Sequence, residues 1–239
     1  MSMIYSEWGL KGVEALRRRV SVLVIVDVLS FSTAVDIAVS RGARVSPFPY
    51  GNDDKARIAA EEAGAHLAQA RKIGSTQFSL SPASMAGLNP GDTLLLPSPN
   101  GSTLSLAGNG VPVLTGCLRN AASVARMARE IAVDGNIGVI PAGERWPDDS
   151  LRPAIEDLIG AGAIIDALDL PMSVEARVAR DAYRSALNDM PTLVRSSVSG
   201  QELIQRGFPQ DVEIAIELNT STAAPLLLGG SFLDGNRLA

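Results

Sequence analysis

The chain has almost none of the residues that build disulfides, zinc sites or histidine-based catalysis. Among 239 residues there is one cysteine, Cys117, and one histidine, His66. A lone cysteine excludes an intrachain disulfide and fits a reducing compartment, so a cytoplasmic location is expected. Without paired Cys or His residues a structural zinc site has no ligands. Ser-His nucleophile chemistry would depend on His66, which lies in an alanine-rich stretch and reads as a surface or packing residue. No apolar run reaches the ~18–20 residues of a membrane span, and the N-terminus (M-S-M-I-Y-S-E-W) lacks a charged-then-apolar leader pattern. The net charge is −5, with no basic cluster beyond Arg17, Arg18 and Arg19, which argues against nucleic acid as a partner. Repeats, low-complexity tracts and long Pro/Gly/Ser linkers are also missing, so residues 1–239 read as one domain. What remains is ordinary globular composition, 46% hydrophobic and 20% charged.

The chain is organised around V-L-V-I-V-D-V-L-S-F-S-T-A, residues 22–34. Its β-branched apolar run predicts a strand buried on both faces, as in the middle of a parallel sheet. Asp27 arrives near the carboxyl end of that strand, followed by Ser30, Ser32 and Thr33 and then a helix. Ligands of open α/β sheets bind outside the carboxyl ends of strands. Two readings of Asp27 stay open: a helix cap or turn residue, or a group that works on a ligand. Leu29 stands where haloacid-dehalogenase-type phosphatases need a second Asp, so metal ligation suits Asp27 better than nucleophilic attack.

Further buried strands are predicted at 94–96, 111–115 and 137–141, with a short one at 43–47 and weaker ones at 65–70 and 225–228. Helices are predicted at 32–40, 53–64, 121–132 (capped by Asn120), 153–168, 173–187 (Val174 and Val178 inward) and 200–206 (a capping box of Ser199 and Glu202). The first 19 residues read as an edge strand or arm with a short amphipathic turn. Residues 71–89, rich in Ser and Gly, read as a surface loop. The alternation of Ile214, Ile216 and Leu218 with Glu213 and Glu217 predicts a half-exposed strand at 212–218, antiparallel and near an edge. The order of elements predicts an α/β fold, a three-layer α/β/α domain with a mixed, mostly parallel sheet.

Three strand or helix ends carry groups that suggest chemistry. The first is Asp27 with its hydroxyls. The second is Asn100-Gly101-Ser102, where glycine allows close backbone approach and following N–H groups suit an anion; a plain Asn-Gly turn is the competing reading. The third is the helix 153–168, apolar nearly all round, which carries Glu156 and Asp157 in its first turns. These acids could merely complement the helix dipole. Two carboxylates on a buried helix also repel unless a cation lies between them, and Asp27 could complete an all-oxygen Mg²⁺ site. Such parts suit metal-assisted phosphoryl hydrolysis, with Arg145 ranked ahead of Arg119 and Arg152 as the nearby cation. The apolar helix leaves a homo-oligomer open.

The ordered set V-I-V-D-V-L-S-F-S-T-A with R-G-A (Arg41 to Ala43), P-N-G-S-T-L (Pro99 to Leu104), L-R-N-A-A (Leu118 to Ala122), A-G-E (Ala142 to Glu144) and I-E-D-L-I-G-A-G-A-I (Ile155 to Ile164) resembles the 2-phosphosulfolactate phosphatase family over about 22–228. The resemblance implies a three-layer α/β/α fold and Mg²⁺-dependent hydrolysis of 2-phospho-3-sulfolactate to 3-sulfolactate and phosphate, on the route to coenzyme M. Asp27, Asn100, Gly101, Glu156 and Asp157 match the family pattern. The chain departs from it at Ser30, where Arg is usual, and at Ala68 to Arg71, where G-E-R is usual. On this reading Asp27, Glu156 and Arg145 are catalytic, and Asp27, Glu156 and Asp157 hold the metal. Ser30, Ser32, Thr33, Asn100, Gly101 and Ser102 bind a small phosphorylated anion. The alternative is a divergent, non-catalytic member that binds an anion or a protein partner.

Overall fold

Strand β2 (Val22–Val26) has all five residues buried, and its neighbours explain why. It pairs in parallel with β7 (Ile137–Pro141) on one side and β6 (Val113–Gly116) on the other. Side chains alternate along it. Val22, Val24 and Val26 join an aliphatic core with helices α5 (Ala121–Ala132), α6 (Ile155–Leu168) and α7 (Val174–Ala186). Leu23 and Ile25 join a second core with α1 (Gly9–Leu16), α2 (Phe31–Ser40) and α4 (Gly101–Ala107). Each such side chain contributes roughly 1.5–3 kcal/mol by leaving water. A third, smaller core sets α3 (Asp53–Ala63) against Leu95 of β5 (Thr93–Pro97). The layers are therefore helices, sheet and helices, as the sequence predicts. A computed structural model supplies these observations and describes residues 2–237.

The sheet has nine strands in the order β1-β7-β2-β6-β10-β11-β3-β5-β4, where β1 is Ile4–Ser6, β3 is Arg44–Phe48, β4 is His66–Leu67, β10 is Pro225–Leu228 and β11 is Ser231–Asp234. It is mixed, but not because of an antiparallel edge. The hairpin β10–β11 runs antiparallel in the middle, between two parallel groups. Its link on each side is narrow: Leu226 opposite Leu114, and Phe232 opposite Val45.

Several local expectations are corrected. Residues 212–218 are not a strand: Pro209–Ala215 is helix α10, and burial repeats every four residues from Asp211 to Leu218. The alternating acids that suggested a strand also stand four apart, as helix neighbours do, and Pro209 fits a first turn. Helix α9 (Val198–Gln205) is capped by Ser197, whose hydroxyl accepts from the Gly200 N–H, so the capping group lies two residues before Ser199. Asn120 does occupy the N-cap position of α5, but its side chain makes no capping bond; its Oδ1 instead accepts the Cys117 N–H at 2.8 Å. On α7 the inward residues are Ala176, Ala179, Tyr183 and Ala186, while Val174 and Val178 are exposed. Tight packing explains this: a Cβ on Gly162 of α6 would come 2.1 Å from the Ala179 carbonyl oxygen. The stretch 71–89 is only partly a surface loop. Its second half, with a 3₁₀ turn at Pro82–Gly87, buries Ser79, Ser81, Met85 and Leu88. Helix α8 (Met190–Ser196) and strand β11 carried no reading from the sequence. Helix α6 is enclosed by α5, α7 and the sheet of its own chain. No helix among the described residues is long and apolar enough to cross a membrane.

Candidate active site

The carboxyl ends of β2 and β7 lie side by side, with Val26 opposite Pro141 and the Ala142 N–H donating to the Val26 carbonyl at 2.8 Å. Two acids emerge there, Asp27 after β2 and Glu144 after β7, in the short strand β8 (Glu144–Arg145). Helix α6 begins beside both. Asp157 in its first turn is buried and accepts the Val28 N–H on Oδ1 at 2.7 Å and the Gly143 N–H on Oδ2 at 2.9 Å. One carboxylate thus ties two strand ends together. Gly143 makes that possible: its φ is +70°, and a Cβ there would stand 2.6 Å from Leu151.

Burial disfavours the charged form of these acids, and their mutual repulsion adds to it. The Asp27 carboxyl is pushed up to about 7 by burial and then by the Glu144 charge, partly offset by the Phe31 amide, the Arg71 guanidinium and the Gly101 amide. Asp157 is raised well above its ordinary range by burial, then by Asp27 and Glu156. Glu144 is raised by burial, against the Asn100 hydrogen bond. Glu156 is 2% exposed, and its Oε2 has no hydrogen-bond partner. An orphaned buried carboxylate oxygen is costly, and a hard cation is one group that satisfies it. Among the described residues no three His, Cys, Asp or Glu side chains cluster tightly enough to cage a metal ion. Mg²⁺ does not require such a cage. It keeps several waters and is bound through one or two carboxylates plus substrate phosphate. Asp27 and Glu156 fit that requirement, and Asp157, engaged by two amides, fits a supporting position behind them.

The other residues singled out in the sequence divide into two groups. Asn100 faces the acids, with its Nδ2 donating to Glu144 Oε2 at 2.9 Å. Gly101 lies beside them because α4 begins against α2; a Cβ on Gly101 would fall 2.2 Å from the Phe31 ring, so packing demands glycine. Ser30 precedes α2, and its hydroxyl accepts from Arg71 Nη2 at 3.2 Å. Ser32, Thr33 and Ser102 are instead turned into the backbone. Ser32 Oγ accepts the Asp27 N–H at 2.9 Å and lies 2.6 Å from Thr115 Oγ1; Thr33 Oγ1 donates to the Val28 carbonyl at 2.5 Å; Ser102 Oγ donates to the Leu96 carbonyl at 2.6 Å. These three hold the loop shapes. Arg145 stands on the rim, half-exposed, donating to the Pro99 carbonyl at 2.9 Å and 3.7 Å from Asp149. Arg119 is committed to Asp36 and Glu217. Arg152, in the short strand β9 (Leu151–Arg152), pairs with Glu202 at 3.1 Å and lies over the Trp146 ring.

Sequence reasoning missed two residues. Glu144 follows a buried strand just as Asp27 does, and the same rule would have found it. Arg71 lies in the Ala68 to Arg71 stretch already marked as departing from the family pattern, but nothing in that aperiodic segment signals that its side chain reaches Ser30.

Comparison with known proteins bears on the same region. Residues 12–230 match the family model described as 2-phosphosulpholactate phosphatase. A probable 2-phosphosulfolactate phosphatase of Carboxydothermus hydrogenoformans is 31% identical over 228 residues, covering 90% of this chain and 91% of that protein. The 2-phosphosulfolactate phosphatase of Methanothermobacter thermautotrophicus is 36% identical over 142 residues, 59% of this chain and 58% of that protein. With a match of this extent, the chain belongs to the 2-phosphosulfolactate phosphatase family, whose members are phosphoric monoester hydrolases.

Proposed function

We propose that this chain is a Mg²⁺-dependent phosphatase that hydrolyses a small anionic phosphomonoester, 2-phospho-3-sulfolactate, to 3-sulfolactate and phosphate. The observation that carries the reading is the group of buried acids at the β2 and β7 strand ends, in which Glu156 keeps an unpartnered oxygen and Asp27 is raised to about 7. Hydrolysis forms a bond from a water oxygen to phosphorus and breaks the ester P–O bond. The water must lose a proton and the departing alkoxide must gain one. Asp27 and Glu156 would hold the ion, with Asp157 keeping the β2 and β7 strand ends in place. The ion, when bound, supplies Lewis-acid polarisation of the phosphoryl oxygens. Glu144, half-buried and raised, is suited to take the water's proton and return it to the alkoxide. Asn100, Gly101 and Ser102 form the turn against which the phosphate sits, and Arg145 supplies positive charge at the rim.

Phosphate release from 2-phospho-3-sulfolactate and from a generic phosphomonoester, with chelator and then with added Mg²⁺, tests this. Turnover should require Mg²⁺ and disappear in Asp27→Asn and Glu156→Gln. Turnover indifferent to chelator defeats the metal assignment. No turnover, with phosphate still bound, identifies a non-catalytic anion binder instead.

A further inference from the structure

A phosphomonoester entering a group of carboxylates needs a fixed positive charge, and the cations nearest in sequence are poorly placed to give it. Arg145 is half-exposed, and Arg152 is engaged by Glu202. Arg71, contributed by the partly buried loop, is different. Its side chain is 9% exposed. Its Nη2 donates to the Leu29 carbonyl at 3.1 Å, the Ser30 hydroxyl at 3.2 Å and the Leu80 carbonyl at 2.8 Å. The first two belong to residues two and three positions after Asp27, so the guanidinium is anchored just beyond the β2 strand end. Its charge acts on Asp27 and Glu144. Nε is buried without a hydrogen-bond partner, and among the described residues Nη1 has no protein acceptor.

Behind Arg71 stands Asp211 of α10, 1% exposed. Its Oδ2 lies 3.3 Å from Arg71 Nε, off the hydrogen-bonding direction. Its Oδ1 accepts the Ser81 hydroxyl at 2.5 Å and the Ala83 N–H at 3.3 Å. A carboxylate so deeply buried and so firmly oriented holds its cation partner in one place, and an arginine in such a site presents a planar fork suited to an oxyanion.

We propose that Arg71 binds an oxyanion of the substrate at this site and that Asp211 is its positioning residue. The proposal rests on the phosphatase reading for the identity of the ligand, but not for the existence of the anion site. The oxyanion is either the phosphoryl group or the substrate's sulfonate or carboxylate, and the binding arms of the test separate these.

The test measures calorimetric binding of inorganic phosphate and, separately, of 3-sulfolactate to wild type, Arg71→Ala, Arg71→Lys and Asp211→Asn. Steady-state kinetics follow where turnover exists. Arg71→Ala should weaken one of the two ligands by at least about tenfold, the effect of losing one charge-assisted contact. KM should rise more than kcat falls, and added guanidinium ion should restore part of the loss. Arg71→Lys should lie between wild type and Arg71→Ala, and it serves as the decisive variant if Arg71→Ala does not fold. Asp211→Asn should weaken the same ligand less, and should have no effect on it when added to an Arg71 variant. Unchanged affinity for both ligands in a folded Arg71 variant overturns the proposal. A wild type that binds phosphate without turnover defeats the catalytic reading alone and leaves the binding arms to decide on Arg71.

Discussion

Two buried aspartates, one just before helix α2 and one within it, meet opposite fates. Asp36, within the helix, is fully buried, yet Arg119 Nε lies 3.0 Å from its Oδ2 and the Ser221 hydroxyl donates to its Oδ1 at 2.6 Å. Its carboxyl is raised by burial but is stabilised by both partners. Asp27, just before the helix, is 5% exposed and faces other carboxylates. The same helix thus borders a finished ion pair and an unfinished one. A finished pair fixes structure: Asp36 and Arg119 pin the segment around Ser221 onto α2 and β6. An unfinished cluster stores a demand for positive charge, which a metal ion and Arg71 would meet.

The largest expected effect that separates the two is on turnover. Asp27→Asn should lower kcat by about 10²–10⁴-fold, the range for losing a catalytic carboxylate, while the protein stays folded. A folded Asp27→Asn protein with wild-type kcat breaks the comparison. Asp36→Ala should do the reverse. It leaves Arg119 short of its buried partner and should cost about 3–5 kcal/mol in chemical denaturation, with kcat of the folded fraction nearly unchanged.

Acid dependence sharpens the contrast further. An acid whose folded-state pKa lies above its ordinary value binds its proton more tightly when folded. Asp27, raised from 3.8 to about 7, therefore adds stability as pH falls through that window and withdraws it as pH rises. In chelator, thermal denaturation should occur a few degrees higher at about pH 5.5 than at about pH 7.5. Asp27→Asn should remove much of the difference, and Mg²⁺ should raise the melting point mainly at the higher pH. A metal-free melting point that drops on this acidification contradicts the assignment. The smallest effect is expected at the rim: Arg145→Ala, whose contacts are a carbonyl and an exposed Asp149, should change kcat/KM by no more than about fivefold.

The site's centre was legible because it obeys a positional rule. An apolar run ending in Asp27, and a buried helix opening with Glu156 and Asp157, both speak through local sequence. Asp157's use as a tie between two strand ends did not, since its partners Val28 and Gly143 are brought to it only by sheet pairing. Ser32, Thr33 and Ser102 share the hydroxyl chemistry of ligand-binding residues, and nothing local says that their partners are backbone carbonyls and amides. Arg71 reaches Ser30 across a loop without periodicity. The central hairpin was half legible: Gly229 and Gly230, both with positive φ, are a recognisable two-residue turn, but the place where the hairpin inserts is decided by tertiary packing.

That hairpin has a consequence for how the protein is made. Among the described residues, the two parallel groups of strands are joined within the sheet only through β10 and β11, which follow every other strand of that sheet in the chain and so leave the ribosome after them. Until Asp234 has emerged, each group carries an unpaired edge at what will be the middle of the sheet, exposed to any other chain that offers a strand. Interrupting synthesis before Pro225 should therefore leave an aggregation-prone intermediate, however complete its acidic cluster.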